Sequence, residues 1–250
     1  MGITGLLPFV KNACRKGNIL ELRGKSVAID VSCLLHRGLT GCMDKIHMGE
    51  ETKSYISYVD KYVKELLAMG CHVVMVFDGR PLPAKKKTIE FFRKIPNVDI
   101  VVAPYEADAQ LAYLMESKLV DAVITEDSDL IVFGCEMIYF KWQSATGECS
   151  VYEKGNLKKC FTGELGGDKF DFGKFRRICI LSGCDYLQEH VTEEFIRSFA
   201  RAENTFKHQI VFDPRERCHK PLTPYPTSGG EGGLDCDDLD VIDLDELPKF

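Results

Sequence analysis

Seven acidic residues stand where apolar runs stop. Asp30 closes Val27-Ala28-Ile29, and Asp78 closes Val73 to Phe77. Glu106 and Asp108 follow Ile100-Val101-Val102 by way of Pro104. Asp127 and Asp129 follow Ala122 to Thr125, and Asp185 closes Leu181-Ser182-Gly183-Cys184. Carboxylates are hard oxygen donors of the kind Mg²⁺ and Mn²⁺ prefer. Two such ions roughly 4 Å apart activate a water and stabilise the leaving oxygen of an in-line phosphoryl displacement. Gathered without cations, the same groups repel: two unit charges about 5 Å apart cost roughly 3 kcal/mol at an effective dielectric near 20. Any one of these acids alone reads as readily as a helix N-cap. Acids at five strand or loop ends at once point to a metal site.

The elements that must position them follow from the same runs. Apolar stretches ending in carboxylates read as buried parallel strands whose C-terminal ends carry a site. Strands are expected over 25–30, up to Asp78, over 99–103, up to Thr125 and over 137–141. Helices are expected over 5–15, from Ser32 to about Gly41, and from Tyr55 to near Gly70, where Ile56, Val59, Val63, Leu66 and Leu67 recur at helical spacing. Another carries Ala107, Leu111 and Leu114, with Pro104 in its first turn. Two more are expected over 170–181 and 192–205. Residues 43–53 read as irregular and 211–222, with Pro214 and Pro221, as extended and irregular. In an extended loop the spacing of Asp127 and Asp129 puts both on one side. At a helix start, that of Glu106 and Asp108 makes them diverge. Strand, helix, strand in succession predicts an α/β fold around a mostly parallel sheet.

The 250 residues carry a net charge of −6. Residues 231–250 hold eight acids and one lysine, net −7, which leaves residues 1–230 at +1. With the seven candidate ligands set aside, that body is +8. A basic frame around an acidic pit suits phosphodiester chemistry. From Pro226 onward Gly, Ser and Asp dominate, which predicts a disordered acidic tail. None of the eleven cysteines forms a Cys-x-x-Cys pair, so free thiols are expected rather than a zinc site. No apolar run approaches 18 residues, so no membrane contact is expected. The N-terminus lacks the pattern of a signal peptide.

Several strings resemble the XPG/flap-endonuclease (Rad2-like) superfamily. They are Met1-Gly2-Ile3 with Gly5-Leu6-Leu7, Val76-Phe77-Asp78-Gly79, Ala103-Pro104-Tyr105-Glu106-Ala107-Asp108-Ala109-Gln110, Thr125-Glu126-Asp127-Ser128-Asp129 and Leu181 to Tyr186. Within it, Leu35-His36-Arg37-Gly38, Asn204-Thr205-Phe206 and Val211-Phe212-Asp213-Pro214 are most similar to the exonuclease 1 group. The resemblance covers about residues 1–225. It implies a PIN-like three-layer α/β fold and Mg²⁺-dependent cleavage of DNA near 5′ ends, nicks or flaps. Two ions would be involved, with Mn²⁺ able to substitute. The metal ligands it implies are Asp30, Asp78, Glu106, Asp108, Asp127, Asp129 and Asp185. It also implies Lys85 at the scissile phosphate, His36 stacked on a nucleobase, Gly2 near the DNA, nuclear location, and a role in DNA repair, mismatch repair included, with repair-protein partners.

Two segments of the family pattern are missing. Only Thr88 to Asn97 bridge the place of a long basic helical arch, and about ten residues make a helix of only about 15 Å. After Asp185-Tyr186-Leu187 the family continues into a helix-two-turn-helix element with a glycine-rich hairpin that holds potassium. Here no glycine occurs between Gly183 and Gly229, so the potassium site is expected to be absent. The expected organisation is a nuclease core over 1–187, a residual helix and extended wrap over 188–226, and the acidic tail over 227–250. Nuclease chemistry with weakened DNA grip is the leading expectation. The alternatives are a DNA- or protein-binding remnant, such as a splice or gene-model variant, and a PIN-type ribonuclease. In the tail, Val241-Ile242-Asp243-Leu244 resembles a strand that adds to the sheet edge of SUMO.

Overall fold

The computed structural model of the chain describes residues 2–48, 50, 52–163, 166–183 and 193–225. Asp185 and the acidic tail, with Val241 to Leu244, lie outside the described residues. The strands are β1 (Cys14–Asn18), β2 (Ser26–Asp30), β3 (His72–Phe77), β4 (Val98–Val102), β5 (Ala122–Ile124), β6 (Met137–Phe140), β7 (Glu148–Glu153), β8 (Ile210–Asp213) and β9 (Cys218–Pro221). The helices are α1 (Leu6–Phe9), α2 (Val31–Thr40), α3 (Met43–His47), α4 (Ser54–Ala68), α5 (Pro83–Phe92), α6 (Ala107–Glu116), α7 (Asp129–Phe133), α8 (Phe172–Leu181) and α9 (Glu193–His208).

Seven strands form one sheet in the order β1-β7-β6-β5-β2-β3-β4. The five from β6 to β4 are parallel, and β7 and β1 add antiparallel at one edge. Both faces are covered, which is why the parallel strands read as continuous apolar runs rather than alternating ones. Val27, Ile29, Val73 and Met75 pack on one face with Val59, Val63 and Leu66 of α4. Ala28, Val74, Val76 and Val123 pack on the other with Leu111 of α6, Leu130 of α7 and Ile180 of α8. The result is the three-layer α/β architecture expected.

From β2 the chain winds outward through β3 to β4, then crosses back to β5 on the other side of β2. Strand order therefore reverses at β2, and the crevice between the C-terminal ends of β2 and β5 is where open α/β sheets place their ligands.

Several local expectations are corrected. Residues 5–15 hold only the four-residue α1, then a 3-10 turn over Val10–Ala13, and Cys14 already begins β1. The supposed irregular stretch after Gly41 contains α3. Pro104 lies outside α6, whose N-cap is Glu106. Residues 211–222 form the antiparallel hairpin β8–β9, with Ile210 opposite Pro221. Pro214 falls in its turn and Pro221 ends an edge strand, the two places where proline costs a sheet no hydrogen bond. Between β3 and β4 stands one ten-residue helix, α5. Val211 and Leu222 of the hairpin, with Ala202 and Phe206 of α9, enter the same core as α6 to α8.

Candidate metal centre

Each expected carboxylate within the described residues lies at the end of a strand or within six residues beyond it. Asp30 is both the last residue of β2 and the N-cap of α2, accepting from the Ser32 amide at 3.0 Å. Its other oxygen, Oδ2, accepts from Thr125 Oγ1 and Cys33 Sγ, both at 2.9 Å. Burial, then the neighbouring Asp30, pushes the Cys33 thiol far up, so it stays a neutral donor. Asp78 follows β3 and accepts from Ser32 Oγ at 2.6 Å. Ser32 thus ties Asp30 to Asp78 across two adjacent strands.

Gly79 carries the chain past the next acidic segment. Its amide donates to Tyr105 O at 2.6 Å. A Cβ there would lie 2.5 Å from both Ala103 O and Pro104 O, so only glycine permits the approach. This fixes Asp78 beside the segment that delivers Glu106 and Asp108. Glu106 is exposed and extended at the N-cap of α6, whereas Asp108 is 8% exposed in its first turn. Burial foremost, then Asp127, Asp30, Asp129 and Glu106 in that order, holds the Asp108 carboxyl well above the ordinary range.

Asp127 and Asp129 are joined by a turn rather than an extended loop. Ser128 is helical, and Asp127 Oδ1 accepts from the Asp129 amide at 3.0 Å. Asp129 opens α7 and is 1% exposed. Glu126 turns the other way, to Arg37 at 3.2 Å. The N-terminal segment closes over this turn: the Ile3 amide donates to Asp129 Oδ1 at 3.0 Å. Gly2 has φ +84°, and a Cβ on it would lie 2.5 Å from Asp127 Oδ1 and 2.8 Å from the Ser128 amide nitrogen, and closer still to Ser128 Oγ. Gly2 is therefore packed against the carboxylates themselves.

Lys85 lies on α5 and is 7% exposed. Its ammonium is ion-paired with Asp78 Oδ1 and donates to Arg80 O at 2.9 Å. Burial pulls it below the ordinary lysine value, and the Asp30 charge acts against that. The lysine expected at the phosphate is thus the pit's own cation. His36 is exposed on α2, six residues beyond Asp30. Sequence reasoning missed Ser32 and Thr125, which orient Asp78 and Asp30. Their only signal was a hydroxyl two residues from a candidate acid.

Among the described residues, no three Asp, Glu, His or Cys side chains already converge on a single ion-sized position. Mg²⁺ does not require that, since it is held through one or two carboxylates, waters and substrate phosphates rather than by an all-protein cage. The donor set fits such an ion: it is all oxygen, and Asp108 feels four other carboxylates.

The chain is similar to known proteins in sequence and in fold. A family model described as the XPG N-terminal domain matches residues 1–97, and one described as the XPG I-region matches residues 97–185. Exonuclease 1 of Danio rerio is 36% identical, over 90% of this chain and 38% of its own length. Exonuclease 1 of Drosophila melanogaster is 34% identical, over 87% and 40%. The chain thus spans about two-fifths of the length of these relatives. The alignment with the fish protein runs over 306 positions, although 90% of 250 residues is about 225, so about 80 positions of the relative face no residue here. The catalytic core of Rad2 in complex with DNA substrate has the same fold, with a TM-score of 0.60 over 80% of this chain and 68% of that one at 22% identity. Human GEN1 in complex with Holliday junction DNA superposes at 0.61 over 83% and 57%, at 20% identity. With the N-terminal and I-region halves meeting on one sheet, the chain belongs to the XPG family.

Proposed function

We propose that the chain is a divalent-metal-dependent nuclease that hydrolyses DNA at 5′ ends, nicks and flaps, with a weaker hold on DNA than its longer relatives. The observation that carries this is the assembly of Asp30, Asp78, Asp108, Asp127 and Asp129 at the ends of β2, β3, β4 and β5, with Lys85 inside it. Asp30, Asp78, Glu106, Asp108, Asp127 and Asp129 would hold two Mg²⁺ between them, one or two carboxylates directly on each ion and the rest through water, with Asp185 joining from outside the described residues. When bound, such ions lower the pKa of a water and stabilise charge on the phosphoryl oxygens. Lys85 holds its ammonium on Asp78 within the same pit and would exchange Asp78 for a phosphate oxygen, neutralising charge as it develops. Ser32 and Thr125 keep Asp78 and Asp30 aimed. Gly2 leaves room for backbone beside Asp127, and exposed His36 offers a stacking face to a base.

The weaker hold follows from α5. One helix of ten residues, about 15 Å long, cannot build a two-helix gate over a single strand. That observation also favours the second reading, a DNA- or protein-binding remnant with little or no turnover. A ribonuclease of the PIN type is the third. A nuclear role in DNA repair, mismatch repair among it, with protein partners from that process, is the further part of this proposal. SUMO binding would be through Val241 to Leu244.

The test is cleavage of a 5′-recessed duplex, a 5′-flap DNA and single-stranded RNA with Mg²⁺ or Mn²⁺, each beside Asp78→Ala. DNA cleavage that vanishes in the variant is expected. Equal signals from both proteins would remove the nuclease reading, and cleavage of RNA alone would give the third.

A further inference from the structure

The hairpin β8–β9 and helix α6 are joined by a contact made of one side chain. Gln110 is fully buried. Its Nε2 donates to Phe212 O at 2.7 Å, and its Oε1 accepts from the Phe212 amide at 2.7 Å. A side-chain amide has the donor and acceptor of a peptide unit, so Gln110 pairs with β8 as a neighbouring strand would. It satisfies the outer edge of a hairpin that is marginal by itself.

The rest of the hairpin grips the same side of α6. Arg215 donates to Ser117 O at 2.6 Å. Lys220 sits 5.1 Å over the Tyr113 ring and donates to the buried Asp213 at 2.5 Å. At about 100° per residue, Gln110, Tyr113 and Ser117 lie about 200°, 140° and 180° around the helix from Asp108. The hairpin therefore holds the face of α6 opposite Asp108. The Asp127, Asp30 and Asp129 carboxylates act on Asp108 from the pit side.

We propose that Gln110 is a positioning residue and the hairpin a backstop: together they hold α6 from behind, and with it Asp108 at metal-ligating distance among the facing carboxylates. This rests on the metal-nuclease reading above. It makes the 210–221 segment a working part of the site, acting through α6.

The test is Mn²⁺ binding to the full chain without DNA, read from the electron paramagnetic resonance signal of free Mn²⁺. Gln110→Met keeps the volume and removes both hydrogen bonds, and Arg215→Ala loosens the grip from the surface. The expected result is Mn²⁺ affinity lowered about tenfold in Gln110→Met, the low end for groups that support metal ligands, and by a smaller factor in Arg215→Ala. Cleavage should be restored by excess Mn²⁺, with KM for DNA unchanged. Should folded Gln110→Met bind Mn²⁺ as the parent chain does, the proposal is overturned. If Gln110→Met does not fold, unchanged affinity in Arg215→Ala overturns it. A parent chain that binds no Mn²⁺ overturns the metal-nuclease reading, and this inference with it.

Discussion

Thr125 Oγ1 donates to Asp30 Oδ2 at 2.9 Å while accepting from the Asp127 amide at 3.0 Å. One buried hydroxyl therefore joins the ends of β2 and β5 across the crevice where strand order reverses. Thr125→Val keeps the shape and deletes both bonds. It leaves a buried amide unsatisfied, so a loss of about 1–3 kcal/mol is expected in urea denaturation. Mn²⁺ affinity should fall with it, because both Asp30 and Asp127 lose their orientation.

Gly2→Ala should impair the site as well as the fold. The left-handed backbone at φ +84° costs a side-chain-bearing residue about 1–2 kcal/mol. The new Cβ would also displace Asp127 or Ser128. The Ile3–Asp129 bond should break, and Mn²⁺ binding should weaken, with a fall of about 2–8 °C in the melting temperature of the chain. A melting temperature that falls with unchanged Mn²⁺ affinity would place Gly2 in the structure alone.

Asp108 predicts how metal affinity depends on pH. Burial and four facing carboxylates hold its carboxyl well above the ordinary range, so a proton competes with the ion there. Below that raised value, affinity should fall about tenfold per pH unit for one displaced proton. Titration of Mn²⁺ at several pH values reads this slope, and Asp108→Asn should flatten it.

The same shift has a sign for metal-free stability. The folded chain binds the Asp108 proton more tightly than the unfolded chain does. Its contribution is therefore present at low pH and is lost as pH rises from the ordinary carboxylate range through the raised value. In EDTA, the melting temperature of Asp108→Asn should hold up better than that of the parent chain as pH rises through that window.

Lys85→Met should cut cleavage about 10²-fold or more, the usual cost of losing one charge-stabilising donor. Burial lowers the Lys85 pKa. The protonated form is thus lost at lower pH than for a free lysine, and cleavage by the parent chain should decline on the alkaline side earlier than such a group would give. An alkaline limb unchanged in Lys85→Met would assign that decline to another group.

The strands that matter most were legible because they are buried on both faces. Val27 to Ile29, Val73 to Phe77 and Ala122 to Ile124 have no polar residue to blur them, and each stops at an acid. Cys14 to Asn18 was illegible as a strand: Cys-Arg-Lys-Gly-Asn has no alternation, and it pairs only because β7 offers it an edge. The hairpin was hidden by its two prolines, which sit at the turn and the strand end. The turn from Asp127 to Asp129 was misread because a backbone amide bonded to a side chain leaves no periodicity. Ser32, Thr125 and Gln110 act through partners 46, 95 and 102 residues away, separations that no local pattern records.

The reversal of strand order at β2 also orders events in time. β2, β3 and β4 pair with neighbours in sequence and can associate as soon as they are made. β5 must return past both to reach β2, and α6 is backed by residues after 209. Non-local pairings of this kind form late, once the loop-closure entropy has been met. Asp30 and Asp78 thus meet early, on β2 and β3, while Asp108, Asp127 and Asp129 join them only in the last steps of folding, and a ribosome that has released only the first hundred residues holds a sheet fragment with two of the carboxylates. Divalent ions would then favour the finished molecule, with its full set of carboxylates, over the fragment by mass action.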